Sequence, residues 1–518
     1  MKSRLCRSCP LCFLAALLVL AALAPSLSAA LTLPRVFGDH MVLQSGMPAP
    51  VWGGGATAGG EVTVTFAGQS VTAKAGADGR WEARLAPLRP SKEPREMVVR
   101  GADGAEVRFT DVLVGEVWLC SGQSNMEKPI GERRKELPCF NAEEEIRTAD
   151  FPQIRLLKIK RTRADTPAGD VETGAPWTVC SPATIDAIKF SAAGYFFGRK
   201  LHRELDTPVG LIDSTWGGTR IEPWTAPEGF DSVPGLAVYA VAARQPGAKV
   251  ENTQPSSLYN AMIHPLAPFA MRGVIWYQGE SNLIMCYDGD PIYTEKMRAL
   301  VQGWRQVWHS ELAFYYVQIA PHLYHVTRSS RIVSSELAPL FWERQAAAMK
   351  HLPGTGMIVT TDLVDDLFDI HPRNKLDVGE RLARWALAND YARGDIVHSG
   401  PVFKEMRVKG NLAYLTFEYT HGGLVANDGK PLRWFTIAGG DGVFHPAEAV
   451  IEGGRVIVSS PRVASPRAVR FAWNEAAQPN LFNKAGLPAV PFRTDAPRPA
   501  LNSSPDRPAL PPKGATGD

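Results

Sequence analysis

Four short segments of this chain combine residue types that can carry out nucleophilic chemistry. The first is Ser121-Gly122-Gln123-Ser124-Asn125-Met126. A serine hydroxyl is barely ionised at neutral pH, so it attacks a carbonyl only when a neighbouring base takes its proton. Gly122 permits a tight turn that projects Ser124 into a cleft, and backbone N–H groups at a following helix start suit an oxyanion. A serine there also serves as a plain helix cap, and spacing alone does not choose between the two. A base is available in Asp369-Ile370-His371-Pro372-Arg373-Asn374-Lys375. Imidazole titrates near ~6.5 and suits the task, and a carboxylate two residues away can fix its tautomer. Between these lie two glycine- and amide-rich stretches. Asp213-Ser214-Thr215-Trp216-Gly217-Gly218-Thr219-Arg220 has adjacent glycines that bring backbone N–H groups close to a ligand, or simply make a strand-to-loop turn. In Trp276-Tyr277-Gln278-Gly279-Glu280-Ser281-Asn282, Gln278 and Asn282 carry neutral amide donors and Glu280 suits sugar hydroxyls; the alternative is a satisfied polar loop.

Three of the four segments directly follow stretches that read as buried strands. Residues 112–120, 208–212, 273–277, 314–319 and 356–360 are nearly continuous apolar runs, as expected where both faces of a sheet are covered. Helical spacing appears over 192–205, 293–308 and 378–388. Strands alternating with helices predict an α/β fold with a parallel sheet and helices on both faces, across residues 111–398. Ligands bind such sheets at the carboxyl ends of strands, where the polar segments fall. Before it, residues 31–110 read as short strands and glycine turns, a β-sandwich domain; after it, residues 399–496 are β-rich again. The tail, 497–518, is rich in proline and reads as disordered.

Residues 1–30 have the order of a secretory signal: Lys2, Arg4 and Arg7, an apolar run over 11–23, then Pro25 and mostly small residues. That predicts export, to the periplasm or the outside of the cell if the source is bacterial, with no membrane association after cleavage. The run is short for a spanning helix, which needs about 20 apolar residues. Without it the chain has 53 basic and 53 acidic residues, so no basic footprint for nucleic acid is indicated. Of seven cysteines, Cys6, Cys9 and Cys12 leave with the signal and Cys120, Cys139, Cys180 and Cys286 remain; export permits disulfides, but four cysteines in so long a chain are no disulfide scaffold, and none has metal-site spacing. No metal or other cofactor is expected. The chain has neither Gly-x-Ser-x-Gly around Ser124 nor a His-Glu-x-x-His signature.

Together the segments resemble the sialate O-acetylesterase family of SGNH-type serine hydrolases. The resemblance rests on Gly115-Glu116-Val117-Trp118-Leu119-Cys120 running into the Ser124 segment, on Trp216 to Trp224, and on Leu258-Tyr259-Asn260-Ala261-Met262-Ile263-His264-Pro265-Leu266. The Trp276 and His371 segments and flanking matches such as Met41-Val42-Leu43-Gln44 extend it over residues 33–496. It implies Ser124 as nucleophile and His371 as general base. It implies an oxyanion hole from the Ser124 backbone, Gly218 and Asn282, with Gln278 as the alternative side chain. Gln123, Asn125, Trp216, Arg220 and Glu280 are the expected substrate contacts. SGNH enzymes commonly place an aspartate three residues before the histidine; here that position is Phe368. Asp369 is the nearest carboxylate, with Asp365 and Asp366 behind it, so the expectation is either a triad through Asp369 or largely a Ser–His dyad. The implied substrate is an O-acetylated carbohydrate, an acetylated sialic acid first and acetylated xylan or another polysaccharide second. The rival from another class is a non-catalytic glycan binder.

Overall fold

A computed structural model describes residues 30–133, 135–327, 331–332 and 334–496. The basic and apolar stretch read as a signal, except Ala30, and the proline-rich tail lie outside the described residues. The centre is a sheet of seven strands: β1 (Glu106–Gly122), β2 (Phe151–Ile159), β3 (Thr173–Cys180), β4 (Val209–Thr215), β5 (Gly273–Tyr277), β6 (Ala313–Val317) and β7 (Thr355–Ile358). Their order is β7-β6-β5-β1-β4-β2-β3, parallel throughout except for the antiparallel edge pair β2–β3. Chain connectivity thus reverses direction around β1, which places the end of that strand between those of β4 and β5.

Alternation along each strand sends side chains to two separate cores. Trp118, Cys120, Leu211, Ile275 and Tyr315 pack under α2 (Ala192–Leu205) and α6 (Leu376–Asp390). Leu119, Ile212, Val274, Trp276 and Phe314 pack under α4 (Tyr293–Trp308) and α5 (Leu337–Ala348). Both faces being covered is why these strands read as unbroken apolar runs. Two further short helices, α1 (Ser124–Glu127) and α3 (Glu280–Met285), follow β1 and β5 directly. The strands β2 and β3 at this end of the sheet do not appear among the sequence-expected strands. β2 places Arg155 and Lys158 inside its apolar run. Arg155 is neutralised by Asp111 at 2.6 and 3.0 Å, and Lys158 by the buried Asp213 at 2.8 Å.

Between residues 31 and 110 the chain makes six strands before entering β1. Ser91–Gly101 pairs with the first half of β1, and Ala49–Gly53 pairs with Trp81–Leu85. The apolar core of this region is continuous with the Leu119 face of the central sheet. After α6, two four-stranded antiparallel sheets enclose a separate core around Leu415, Ile437, Val456, Phe471 and Phe492. This carboxyl-terminal β-region grips the loops beyond β6 and β7 and the helix α5 between them. The buried Glu475 takes the His325 N–H and ring, Arg493 pairs with Glu343 at 2.8 Å, and Gln478 Nε2 donates to Val364 O at 3.0 Å. Among the described residues no helix is long and apolar enough to cross a membrane, and Cys120, Cys139, Cys180 and Cys286 are all free thiols.

Candidate active site

β1 ends at Gly122, whose φ of 134° lies in the region that favours glycine. A Cβ there would come within 2.2 Å of the Tyr277 carbonyl oxygen, so β1 and β5 close on each other only because the residue is glycine. The next backbone N–H, of Gln123, donates to Tyr277 O at 2.9 Å, and Ser124 then opens α1. The Ser124 hydroxyl stands 2.8 Å from His371 Nε2. His371 comes from the loop between β7 and α6, 247 residues further along the chain.

The carboxylates near the imidazole do not complete a hydrogen-bonded triad. Asp369 Oδ1 accepts the His371 backbone N–H at 2.8 Å but lies 3.7 Å from Nδ1. Glu136 Oε1 lies 3.8 Å from the same nitrogen. Both distances exceed a hydrogen bond. Asp369 therefore shapes the loop and biases the ring by charge. Asp365 and Asp366 accept from the backbone of Arg373 and Phe368. Glu136 carried no spacing signal; only the fold brings the stretch after α1 against the His371 loop. Burial opposes its charge, but the Arg133 hydrogen bonds, with Oε1 at 2.8 Å, and the nearby His371 outweigh that and hold its carboxyl below the usual range. His371 is itself mostly buried, and burial pulls its pKa down to about 4, with Glu136 pulling the other way. Its ring is thus a neutral, proton-accepting imidazole at neutral pH.

These groups open onto a cleft of about 920 Å³ whose walls include Ser124, Trp216, Gly217, Gly218, Glu280, Phe368 and His371. Gly218 has φ 75° and is exposed to the cleft. Its N–H and that of Ser124 donate to no group among the described residues. The Gly217 N–H is already taken by Glu127 Oε2 at 3.1 Å. Trp216 lines the cleft beneath Arg163, whose guanidinium lies 4.9 Å from the ring centre. Trp224, Trp276 and Tyr277 are core residues.

Four sequence expectations change. Asn282 is fully buried away from the cleft: its Nδ2 donates to Asp290 at 2.8 Å and Glu222 at 3.2 Å, and its Oδ1 accepts from Ile221 N. Gln278 is likewise enclosed, with Nε2 bonded to Asn282 Oδ1 at 2.7 Å and Oε1 to Tyr293. Neither amide has a donor turned to Ser124. Arg220 is buried and paired with the buried Glu222 and the exposed Glu251, at 2.8 and 2.7 Å, and is no cleft residue. Asn125 is also buried: Nδ2 donates to Glu280 Oε1 at 2.5 Å and to Ile370 O at 2.9 Å, while Oδ1 accepts from Lys375 at 2.7 Å. It ties the helix of Ser124 to the residue before His371. Gln123 does line the cleft, with Oε1 accepting the Ser281 N–H at 3.2 Å. Glu280 lines it too, and burial raises its pKa. Burial lowers that of Lys375 to about 7. Among the described residues no cluster of histidine, cysteine and carboxylates is arranged to hold a metal.

A mixed α/β sheet with a hydroxyl–imidazole pair at its carboxyl edge is the architecture of a hydrolase. The family model for carbohydrate esterases of the sialic acid-specific acetylesterase type matches residues 114–388. Rat sialate O-acetylesterase is 33% identical over 73% of this chain and 78% of its own length, and the human enzyme is 32% identical over 74% and 75%. The crystal structure of a carbohydrate acetylesterase from Xanthomonas citri superposes with a TM-score of 0.79 at 36% identity, covering 90% of this chain and all of that one. The chain belongs to the sialic acid-specific acetylesterase family of carbohydrate esterases, and it is a carbohydrate O-acetylesterase.

Proposed function

We propose that this chain is an exported serine esterase of SGNH type that removes O-acetyl groups through Ser124 and His371. The observation that carries the reading is the 2.8 Å contact between Ser124 Oγ and the neutral His371 Nε2. His371 takes the Ser124 proton as the hydroxyl attacks the acetyl carbonyl. The N–H groups of Ser124 and Gly218 hold the oxyanion. His371 then returns the proton to the departing sugar oxygen, and water, activated by the same imidazole, releases acetate. Glu136 and Asp369 stabilise the transient imidazolium through space, in place of one hydrogen-bonded aspartate. Export rests on the charge, apolar and small-residue order of residues 1–30.

The names of the rat and human relatives make O-acetylated sialic acid the first substrate. A neutral polysaccharide such as acetylated xylan is the second, favoured by one observation. A sialic acid brings its own carboxylate, yet Arg133 and Arg161, the cleft arginines, are both occupied by Glu127. The test is hydrolysis of p-nitrophenyl acetate by wild type and by Ser124→Ala. Loss of about 10³-fold or more in the mutant is expected; equal rates would refute Ser124 catalysis. Acetate release from 9-O-acetylated sialic acid and from acetylated xylan then ranks the two substrates.

A further inference from the structure

Phe368 is 76% exposed, the most exposed large apolar side chain among the described residues. It lies in the wall of the catalytic cleft, three residues before His371. An aromatic ring left in water forgoes the burial that normally stabilises it, and contiguous exposed apolar surface marks a binding site. Phe368 is not alone there: Leu323, Val326 and Ile370 line the same cleft, and Val326 is 56% exposed. Nor is it on a loose turn. The Phe368 N–H donates to Asp366 Oδ1 at 2.8 Å, Leu323 N donates to Leu367 O at 3.0 Å, and Gln478 of the carboxyl-terminal β-region holds Val364 O at 3.0 Å. The fold thus fixes an unburied ring beside the catalytic base.

We propose that Phe368 is the platform of a sugar subsite, stacking on the C–H face of the pyranose ring whose oxygen leaves. The argument rests on the catalytic reading above. His371 returns its proton to the leaving oxygen, so the ring carrying that oxygen lies on the His371 side of Ser124, against Phe368. Trp216, next to Gly217 and Gly218 in the cleft wall, is partly covered by Arg163. The ligand class is therefore a pyranoside acetylated on a ring hydroxyl and presenting a flat C–H face, which is the polysaccharide substrate named second above; a 9-O-acetyl group leaves from an exocyclic chain and does not place its ring there. The carboxyl-terminal β-region contributes by holding the platform in place.

The experiment compares two acetyl esters in the same full-length enzyme: methyl 2-O-acetyl-β-D-xylopyranoside, which has such a ring, and ethyl acetate, which has none. The readout is the ratio of their kcat/KM values in wild type, Phe368→Ala, Phe368→Leu and Phe368→Trp. Phe368→Ala and Phe368→Leu are expected to lower the ratio by about 3- to 10-fold through KM, and Phe368→Trp to keep it. Phe368→Leu keeps apolarity and loses the flat face, so it separates stacking from greasy contact. A ratio unchanged in Phe368→Ala, or as high in Phe368→Leu as in wild type, would overturn the proposal. If wild type hydrolyses neither ester, the failure belongs to the catalytic reading and takes the subsite with it; if it hydrolyses both and only the ratio is insensitive, the subsite alone fails.

Discussion

The loops leaving β4 and β5 flank Ser124 on either side, and in sequence they look like equal sources of oxyanion donors. One runs Trp216-Gly217-Gly218, the other Gln278-Gly279-Glu280-Ser281-Asn282. In the structure they differ in kind. The β4 loop keeps a backbone N–H open to the cleft at Gly218. The β5 loop turns its amides inward, where Asn282 joins Glu222 and Asp290, and Gln278 joins Tyr293. Asp290 and Glu222 are in turn neutralised by Lys296, at 2.9 and 2.8 Å. A donor already bonded to a buried carboxylate is not available to a transition state, because withdrawing it strips a charge-assisted hydrogen bond from that carboxylate at a cost of about 1–3 kcal/mol. Donor chemistry is a property of a residue type; free donor capacity is a property of its surroundings.

The largest expected effect sets the β4 loop apart. Gly218→Pro removes the N–H and also cannot hold the native φ of 75°, because proline fixes φ near −65°, so kcat should fall by at least the about 10²–10³-fold expected for one oxyanion donor. Gly218→Ala keeps the N–H, has open space at its Cβ, and faces only the cost of φ 75°, so its loss should be much smaller. Steady-state kinetics of the pair decides: equal losses would remove Gly218 from the oxyanion hole. Next comes Asn282→Ala, whose main effect should be on stability, by about 1–3 kcal/mol in denaturant unfolding, since it strips partners from Glu222 and Asp290. A 10²-fold fall in kcat with unfolding unchanged would instead return Asn282 to the catalytic machinery.

The smallest effect concerns the base. Under the proposed mechanism the neutral form of His371 is required, and burial holds its pKa at about 4. Activity should therefore be level down to about pH 5 and fall with acid through about pH 4. In the interval between that value and the ~6.5 of an unfolded histidine, the unfolded chain binds the proton and the folded chain does not, so stability also falls as pH drops through it. Glu136 raises the His371 pKa and Lys375 lowers it. The kcat/KM pH profile, which reports the free enzyme, should accordingly shift to lower pH in Glu136→Gln and to higher pH in Lys375→Met. A shift of opposite sign in Glu136→Gln would mean that Glu136 does not face the imidazole as drawn.

Much of the fold was legible because it follows from short-range periodicity. β5 and the helices 192–205 and 293–308 fall where the apolar spacing predicts, and β1 contains its predicted core. β2 was not, because charges inside it hide its pattern until Asp111 and Asp213 arrive from elsewhere. At the site, the types Ser, His and Gly-Gly on strand-end loops named a nucleophile, a base and a backbone donor. The chain alone determined which residues had the chemistry, since pKa, hydroxyl and glycine backbone freedom are local. Tertiary structure alone decided which of them meet. It set Ser124 against His371, brought Glu136 beside the ring from a segment with no spacing signal, turned Asn282, Gln278, Asn125 and Arg220 away, and left Phe368 exposed. Hydrogen-bond capacity is used up by neighbours that sit tens to hundreds of residues away, and only the folded chain says which neighbours those are.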